Sequence, residues 1–315
     1  MLKIEDLIAT APLIMTEGAV VERLRREFKV ELDPYLVHSG FIYNSSNREI
    51  LRGIYKGYID IVYKRELPIL IFTPTRRANE ERLVQAGFNN IDINGDCVRF
   101  LSQIRDEYGN FAKKIYIGGI MGCKNDAYKA QESLETDEAE RFHRFQAEAL
   151  SNAGVDFLYG ATLPAYVEAL GLAKAMAKTK KPYILSFVIR NDGKLLDGTS
   201  LHEAFVGIDS SVNPKPLGYM VNCIHPSVLE RSLQENWNSN IIVKQRLLGI
   251  QSNTSSKSPE ELDNSSSVES DDFESLIDTM VALHFEYGLK VMGGCCGTNN
   301  KHIEKMVEGF CKGKQ

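Results

Sequence analysis

Two stretches of this sequence carry side chains that could act together on a metal and a substrate. Asn222-Cys223 closes one apolar run, and Gly293-Gly294-Cys295-Cys296-Gly297-Thr298 closes another much further along the chain. Three thiolates converging on one point form a soft, trigonal face suited to Zn²⁺. A fourth position stays open for an exchangeable ligand, as in catalytic rather than structural sites. Neighbouring side chains on a regular strand point to opposite faces. Cys295 and Cys296 therefore reach one ion only where the backbone leaves extended geometry, a freedom that glycines at 293, 294 and 297 supply. On spacing alone, the same pair reads equally well as two buried thiols with no ligand.

Both stretches end strand-like runs, so the elements around them matter. Strands are expected at Leu13–Glu17, Ile69–Thr73, Ile115–Gly119, Asp156–Gly160, Tyr183–Ile189, Gly218–Asn222, Ile241–Val243 and Leu289–Gly293. Several, such as Ile69-Leu70-Ile71-Phe72, are apolar throughout, as parallel strands buried on both faces require. Amphipathic stripes lie between them: Leu51, Ile54, Tyr55, Tyr58 and Val62; Phe142, Phe145, Ala149 and Leu150 before Gly154; Phe273, Leu276, Ile277, Met280, Val281 and His284 before Gly288; and Ile303, Met306, Val307 and Phe310. Eight strands alternating with helices predict a single-domain (β/α)8 TIM barrel over residues 1–315, whose active site would be built at the carboxyl ends of the strands. A doubly wound open sheet is the competing architecture, but no G-x-G-x-x-G follows an early strand. Residues 251–272 are rich in Ser and acidic residues and read as a mobile loop, with a lid over the active site as one role for it. Lys124–Asp137 reads as a polar surface excursion.

Composition narrows the class of protein. With 315 residues, 43% hydrophobic and 25% charged, the chain has an ordinary globular make-up, and its formal charge of −5 recommends neither nucleic acid nor an anionic membrane as partner. No apolar run approaches the ~20 residues of a membrane span. Glu5 and Asp6 lie where a signal peptide would need its apolar core. Six cysteines without an export signal read as reduced thiols in a cytoplasmic protein.

Read with its neighbours, the cysteine motif becomes specific. Val291-Met292-Gly293-Gly294-Cys295-Cys296-Gly297-Thr298, followed by His302-Ile303, resembles the C-terminal signature of the homocysteine S-methyltransferase family. Val221-Asn222-Cys223 resembles that family's second zinc motif, and Asp192–Leu201 its loop after the fifth strand. Glu17-Gly18-Ala19, the glycine turn at Ile117–Gly122 and Asp156-Phe157-Leu158 fall in the family's order, so the likeness covers nearly the whole chain. It implies a zinc-dependent barrel in which Cys223, Cys295 and Cys296 hold the metal and a substrate thiol takes the fourth position. A free alkyl thiol, with pKa about 8.5, is only a few per cent thiolate at neutral pH. Zinc coordination favours the thiolate without a general base. That thiolate would attack a methyl carbon on a small onium donor such as S-methylmethionine or betaine, most naturally with homocysteine as acceptor and methionine as product. The partners expected are thus a small thiol and a methyl donor; a homodimer is compatible with the sequence and not indicated by it.

The sequence departs from the family at the amino-acid half of the site. Glu17 stands where the family has Asp, and Ala161-Thr162 stands where it has Glu-Thr, the Glu gripping the amino group of homocysteine. Thr73-Pro74-Thr75-Arg76 replaces a Thr-Asn-Thr-aromatic pattern. A charge-assisted hydrogen bond is worth roughly 1.5–3 kcal/mol, enough to change substrate preference and too little to abolish thiol chemistry. Three readings follow: Glu17 reaches across to homocysteine, another thiol is the acceptor, or the barrel binds a thiol without transferring methyl.

Other residues are weighed in the same way. Glu17, Gly18, Thr73, Gly119, Thr162, Asn222 and Gly294 are expected substrate contacts at strand ends, the glycines by letting backbone approach closely. Asn222 would orient Cys223, touch substrate, or only end a strand. His225 precedes Pro226 and reads as a helix start rather than a ligand, and Ser200 with Glu203 explains His202 as part of a capping box. His284 reads as a satisfied core histidine, Cys97 and Cys311 as small buried hydrophobes, and Cys123 as a residue that could border the pocket.

Overall fold

A computed structural model describes residues 1–255 and 272–312. Eight parallel strands, hydrogen-bonded each to the next, close into a barrel: β1 (Ile14–Thr16), β2 (Ile69–Phe72), β3 (Ile115–Gly122), β4 (Phe157–Leu163), β5 (Tyr183–Phe187), β6 (Gly218–Ile224), β7 (Leu247–Ser252) and β8 (Val291–Gly294). The strands are apolar because both faces are covered. Ile69 and Ile71 of β2 pack outward among the helices, while Leu70 and Phe72 fill the interior.

Among the described residues the α-helices are α1 (Ile4–Thr10), α2 (Val21–Arg26), α3 (Ser45–Tyr63), α4 (Glu80–Gln85), α5 (Ile93–Asp106), α6 (Thr136–Asn152), α7 (Tyr166–Lys178), α8 (Leu201–Ser211), α9 (Pro226–Gln234), α10 (Ile241–Arg246), α11 (Phe273–Phe285) and α12 (Asn300–Lys312). Ile4, Leu7 and Ile8 of α1 join Ile14, Leu70, Tyr116 and Val291 in the interior cluster and plug the amino end of the barrel. That leaves the carboxyl ends of the strands as the open face. Just beneath that face, Phe72 stacks on Tyr159 with ring centroids 4.4 Å apart, giving the site a solid floor.

Four sequence expectations are corrected. Ile241–Val243 is the first turn of α10, not a strand, and the seventh strand is Leu247–Ser252. The side chain of Asn240 caps that turn by accepting from Ile242 N and Val243 N, and so short a β-branched run carries no periodicity of its own. On α6 the inward face is Ala139, His143, Gln146, Ala147 and Leu150, whereas Phe145 is exposed. Two polar side chains can face inward because both are bonded: His143 to Glu168, and Gln146 to Thr75 O and Asn94. The segment at 117–122 is not a turn but the continuation of β3. Finally, the excursion after β3 is only partly superficial, since Ala127 and Leu134 are buried. Of the stretch at 251–272, Gln251 and Ser252 belong to β7, and residues 256–271, with any lid they would form, lie outside the described residues.

The smaller expectations at 200–203 and 225 are met, while His284 is hydrogen-bonded as expected but only half-buried rather than in the core. Ser200 and Glu203 form a full capping box on α8, His225 caps α9 ahead of Pro226, and His284 Nδ1 lies 2.7 Å from Leu289 O. Cys97 is fully buried, but Cys311 is only half-buried.

Candidate active site

The three cysteines meet at the carboxyl end of the barrel. The sulfurs of Cys223, Cys295 and Cys296 lie within 4.8 Å of one another, close to the ~4 Å spread expected of ligands each about 2.3 Å from one zinc. Local backbone geometry makes this meeting possible. Cys223 sits at φ 57°, in the left-handed region, where the β6–β7 register shifts between Asn222 and Ile224. A regular strand would send Cys223 and Asn222 to opposite faces, and the irregularity turns both toward the open end of the barrel. After β8, Gly297 at φ 80° turns the chain back, and the Thr298 hydroxyl donates to Cys295 O at 2.6 Å. The end of β7 and the residues following it tie the two cysteine segments together. Asn253 Nδ2 donates to Cys223 O at 3.2 Å, Cys295 N donates to Ser252 O at 2.6 Å, and Thr254 N donates to Cys296 O at 3.2 Å.

A second left-handed residue faces the first. Thr162 has φ 56° at a register shift in the β4–β5 pairing. For a β-branched residue that conformation is costly and persists only where its surroundings impose it. Asn222 imposes it: its Oδ1 accepts from Thr162 N at 3.0 Å and from Ser186 Oγ at 2.7 Å, while its Nδ2 donates to Thr162 Oγ1 at 2.7 Å. Asn222 is therefore a clamp on Thr162, which keeps its own hydroxyl hydrogen for another acceptor.

The cysteine trio forms one end of a cavity of about 170 Å³ that is also lined by Glu17, Gly18, Thr73, Ala161, Thr162, Asn222 and Gly294. Six of the seven expected contacts are thus brought together. Gly119 is not: a Cβ there would lie 3.1 Å from Leu150 and 3.3 Å from Val155, so it faces α6, and Ile120 lines the cavity instead. Gly294 is required for packing against protein, because a Cβ would lie 2.2 Å from Thr298 Oγ1. Thr73 is in the wall, but its hydroxyl is already bonded to Thr75 Oγ1 at 2.7 Å and Ile120 N at 3.1 Å.

Glu17 is buried, and its Oε2 accepts from Phe72 N at 2.9 Å. Burial pushes its carboxyl well above the ordinary range, only partly offset by that hydrogen bond. A carboxyl so placed gains by meeting a cation. Among the thiols, Cys223 is drawn well below its usual value, first by hydrogen bonds with Cys295 and Cys296 and further by Arg76 and Tyr128. Cys295 and Cys296 are correspondingly raised, first by their bonds to Cys223. Three sulfurs that share hydrogen bonds at one point form a donor set that fits a soft divalent cation.

Several lining residues, Tyr128, Arg76 and His38 among them, have no strand-end position in the sequence and were not anticipated as contacts. Tyr128 comes from the excursion after β3, which is held in place by Arg77 donating to Lys124 O at 3.0 Å and Asn125 O at 2.9 Å, and by Glu168 accepting from Lys124 N at 2.7 Å. Arg76 and His38 enter from loops. Gln251 lines the floor, its Oε1 accepting from Tyr159 OH at 2.6 Å. Cys123 does not line the cavity; it is buried, and burial raises its thiol to about 11.

Residues 14–310 match the family described as homocysteine S-methyltransferase. The chain belongs to that family. It is a methyltransferase acting on small molecules. A homocysteine S-methyltransferase of Bacillus subtilis, YbgG, is 22% identical over 96% of each chain. Among solved structures, the metallated form of the homocysteine methyltransferase MmuM from Escherichia coli superimposes with a TM-score of 0.75 at 20% identity, covering 96% of this chain and 98% of that one. Its oxidized form gives the same TM-score and identity over 96% and 97%. These similarities carry the barrel fold of the family across the chain, and no described helix is long and apolar enough to cross a membrane.

Proposed function

We propose that this member of the homocysteine S-methyltransferase family transfers a methyl group from a small onium donor to homocysteine, giving methionine. The observation that carries the reading is the convergence of Cys223, Cys295 and Cys296 in the same cavity as Glu17 and Thr162. The donor set suits Zn²⁺, which when bound would lower the pKa of a coordinated thiol.

The protein's own residues do the rest by positioning. Tyr128 and Arg76 crowd the thiol side of the cavity. Glu17 Oε2 is occupied by Phe72 N, which leaves Oε1 for the acceptor's ammonium; a carboxyl that burial disfavours as an ion gains a countercharge on its arrival. Thr162, fixed by Asn222, presents a hydroxyl to the same ligand. Holding donor and acceptor together in a small enclosed space removes much of the entropic barrier. In the transfer itself a bond forms between the acceptor sulfur and the methyl carbon. The bond from that carbon to the donor's positive sulfur or nitrogen breaks, and its electron pair stays with the donor.

Ala161 favours a second reading, in which the acceptor is a different thiol. It faces the cavity with a methyl group where the family's glutamate would grip an amino group. Reduced, zinc-replete protein incubated with homocysteine and S-methylmethionine or betaine, followed by mass spectrometry, tests the first reading directly. Methionine formation supports it; turnover of another thiol with no methionine supports the second. Thiols kept reduced for this chemistry fit a cytoplasmic setting.

A further inference from the structure

The cavity contains a full charge that no carboxylate among the described residues answers. Arg76 leaves the Thr73-Pro74-Thr75 turn and lies across the last residue of β3: a Cβ on Gly122 would fall 2.9 Å from Arg76 Cγ and 3.3 Å from its Nε. Gly122 N in turn donates to Arg76 O at 3.0 Å. The glycine gives the side chain a flat bed, and its guanidinium borders the cavity. Arg77 next to it is spent on two carbonyls, but Arg76 Nε is buried without a hydrogen-bond partner. The strongest electrostatic partners of Arg76 are the thiols of Cys123, Cys223 and Cys295 and the hydroxyl of Tyr128, none of them a carboxylate. Glu17, the buried acid in the same wall, bonds Phe72 N instead. His38, whose Nδ1 also lacks a partner, is held at about 4 by burial and by Arg76, so it adds no second charge at neutral pH.

A guanidinium cannot shed its proton, and its five N–H donors form a rigid fork that matches a carboxylate. Leaving such donors unmet in a low-dielectric wall is costly, and an apolar residue of similar size would avoid the cost. The residue makes sense as half of a pair whose other half is the ligand. We propose that Arg76 is the specificity-determining residue of the acceptor site, taking the carboxylate of a mercaptocarboxylate whose sulfur lies at the cysteine trio, so that acceptors are chosen by their carboxylate rather than by their ammonium group. This rests on the thiol methyl-transfer reading above. Ala161 is consistent with it, since it offers an amino group nothing, and burial disfavours the charged form of Glu17 that an ammonium would need.

The test compares three acceptors on the full-length, reduced, zinc-replete enzyme with S-methylmethionine as donor: homocysteine, 4-mercaptobutanoate, which lacks the amino group, and 3-aminopropane-1-thiol, which lacks the carboxylate. Losing the amino group lowers kcat/KM less than about ten-fold. Losing the carboxylate lowers it roughly ten- to hundred-fold, the range for one charge-assisted pair, and chiefly through KM. In Arg76→Gln that second penalty disappears. Arg76→Lys keeps part of it, as a point charge without the fork, and Gly122→Ala erodes it by displacing Arg76 with the charge intact. An Arg76→Gln enzyme that keeps the wild-type ratio between acid and aminothiol overturns the proposal, as does a wild type that prefers the aminothiol. If wild-type enzyme methylates none of the three with either S-methylmethionine or betaine, the transfer reading fails instead. Calorimetric binding of the same thiols to wild type and Arg76→Gln then decides the role of Arg76 separately.

Discussion

Replacing Asn222 by Ala removes three hydrogen bonds at once: Thr162 N to Oδ1 at 3.0 Å, Ser186 Oγ to Oδ1 at 2.7 Å, and Nδ2 to Thr162 Oγ1 at 2.7 Å. Each is worth about 1 kcal/mol net, with more lost where the remaining partner stays buried and unpaired. Against this, Thr162 is freed to leave its left-handed φ of 56°, which returns about 1 kcal/mol. The expected net loss is about 2–3 kcal/mol, or roughly 5 °C in Tm for a domain of this size. Activity falls too, because Thr162 and Cys223 flank the same cavity. Thr162→Gly alone should be near neutral in stability: it forfeits a hydroxyl contact, but glycine adopts positive φ freely. In the double variant Asn222→Ala/Thr162→Gly the shared Nδ2–Oγ1 bond and the relief of φ are each counted once rather than twice, corrections of about 1 kcal/mol with opposite sign, so its loss matches that of Asn222→Ala alone. Urea denaturation of the four proteins measures these losses. Asn222→Ala as stable as wild type yet inactive would refute the clamp and make Asn222 a direct substrate contact.

Glu17→Gln should separate stability from activity. Because the folded carboxyl is raised above its unfolded value, its stability contribution is fully present below the unfolded pKa near 4.5 and is lost as pH rises through the folded one. Wild type therefore gives up stability across that window while Glu17→Gln does not; the variant's Tm advantage should grow from pH 5 to pH 8 while its KM for homocysteine rises, and a constant Tm difference would contradict this. Ala161→Glu should lower the KM for homocysteine by about ten-fold through one added charge-assisted contact. A rise in KM would mean that the new carboxylate pairs with Arg76. Timed alkylation with peptide mapping should mark exposed Cys296 before Cys295 and leave fully buried Cys97 until the protein unfolds. Added zinc should protect the trio and not Cys311, and equal protection of all four would argue against a common metal site.

Much of this molecule is written locally. Parallel strands buried on both faces must be apolar throughout, and helices covering them must carry a stripe at their own period. Seven strands and the helices α3, α6, α11 and α12 follow from those two patterns, and Gly293-Gly294-Cys295-Cys296-Gly297 announces its chemistry by residue type alone. The patterns failed where a run was too short to have a period, as at Ile241–Val243, or where polar side chains found buried partners, as with His143 and Gln146 on α6. What only the tertiary structure decided is which side chains look into the cavity. Strand alternation does not foretell that Cys223 and Thr162 sit at register shifts with left-handed backbone, held there by a clamp between β4 and β6. Nor does it foretell that Gly119 faces α6, or that Tyr128, Arg76 and Gln251 complete the wall. Those placements depend on hydrogen bonds and packing between residues tens of positions apart, and no window along the chain contains both partners.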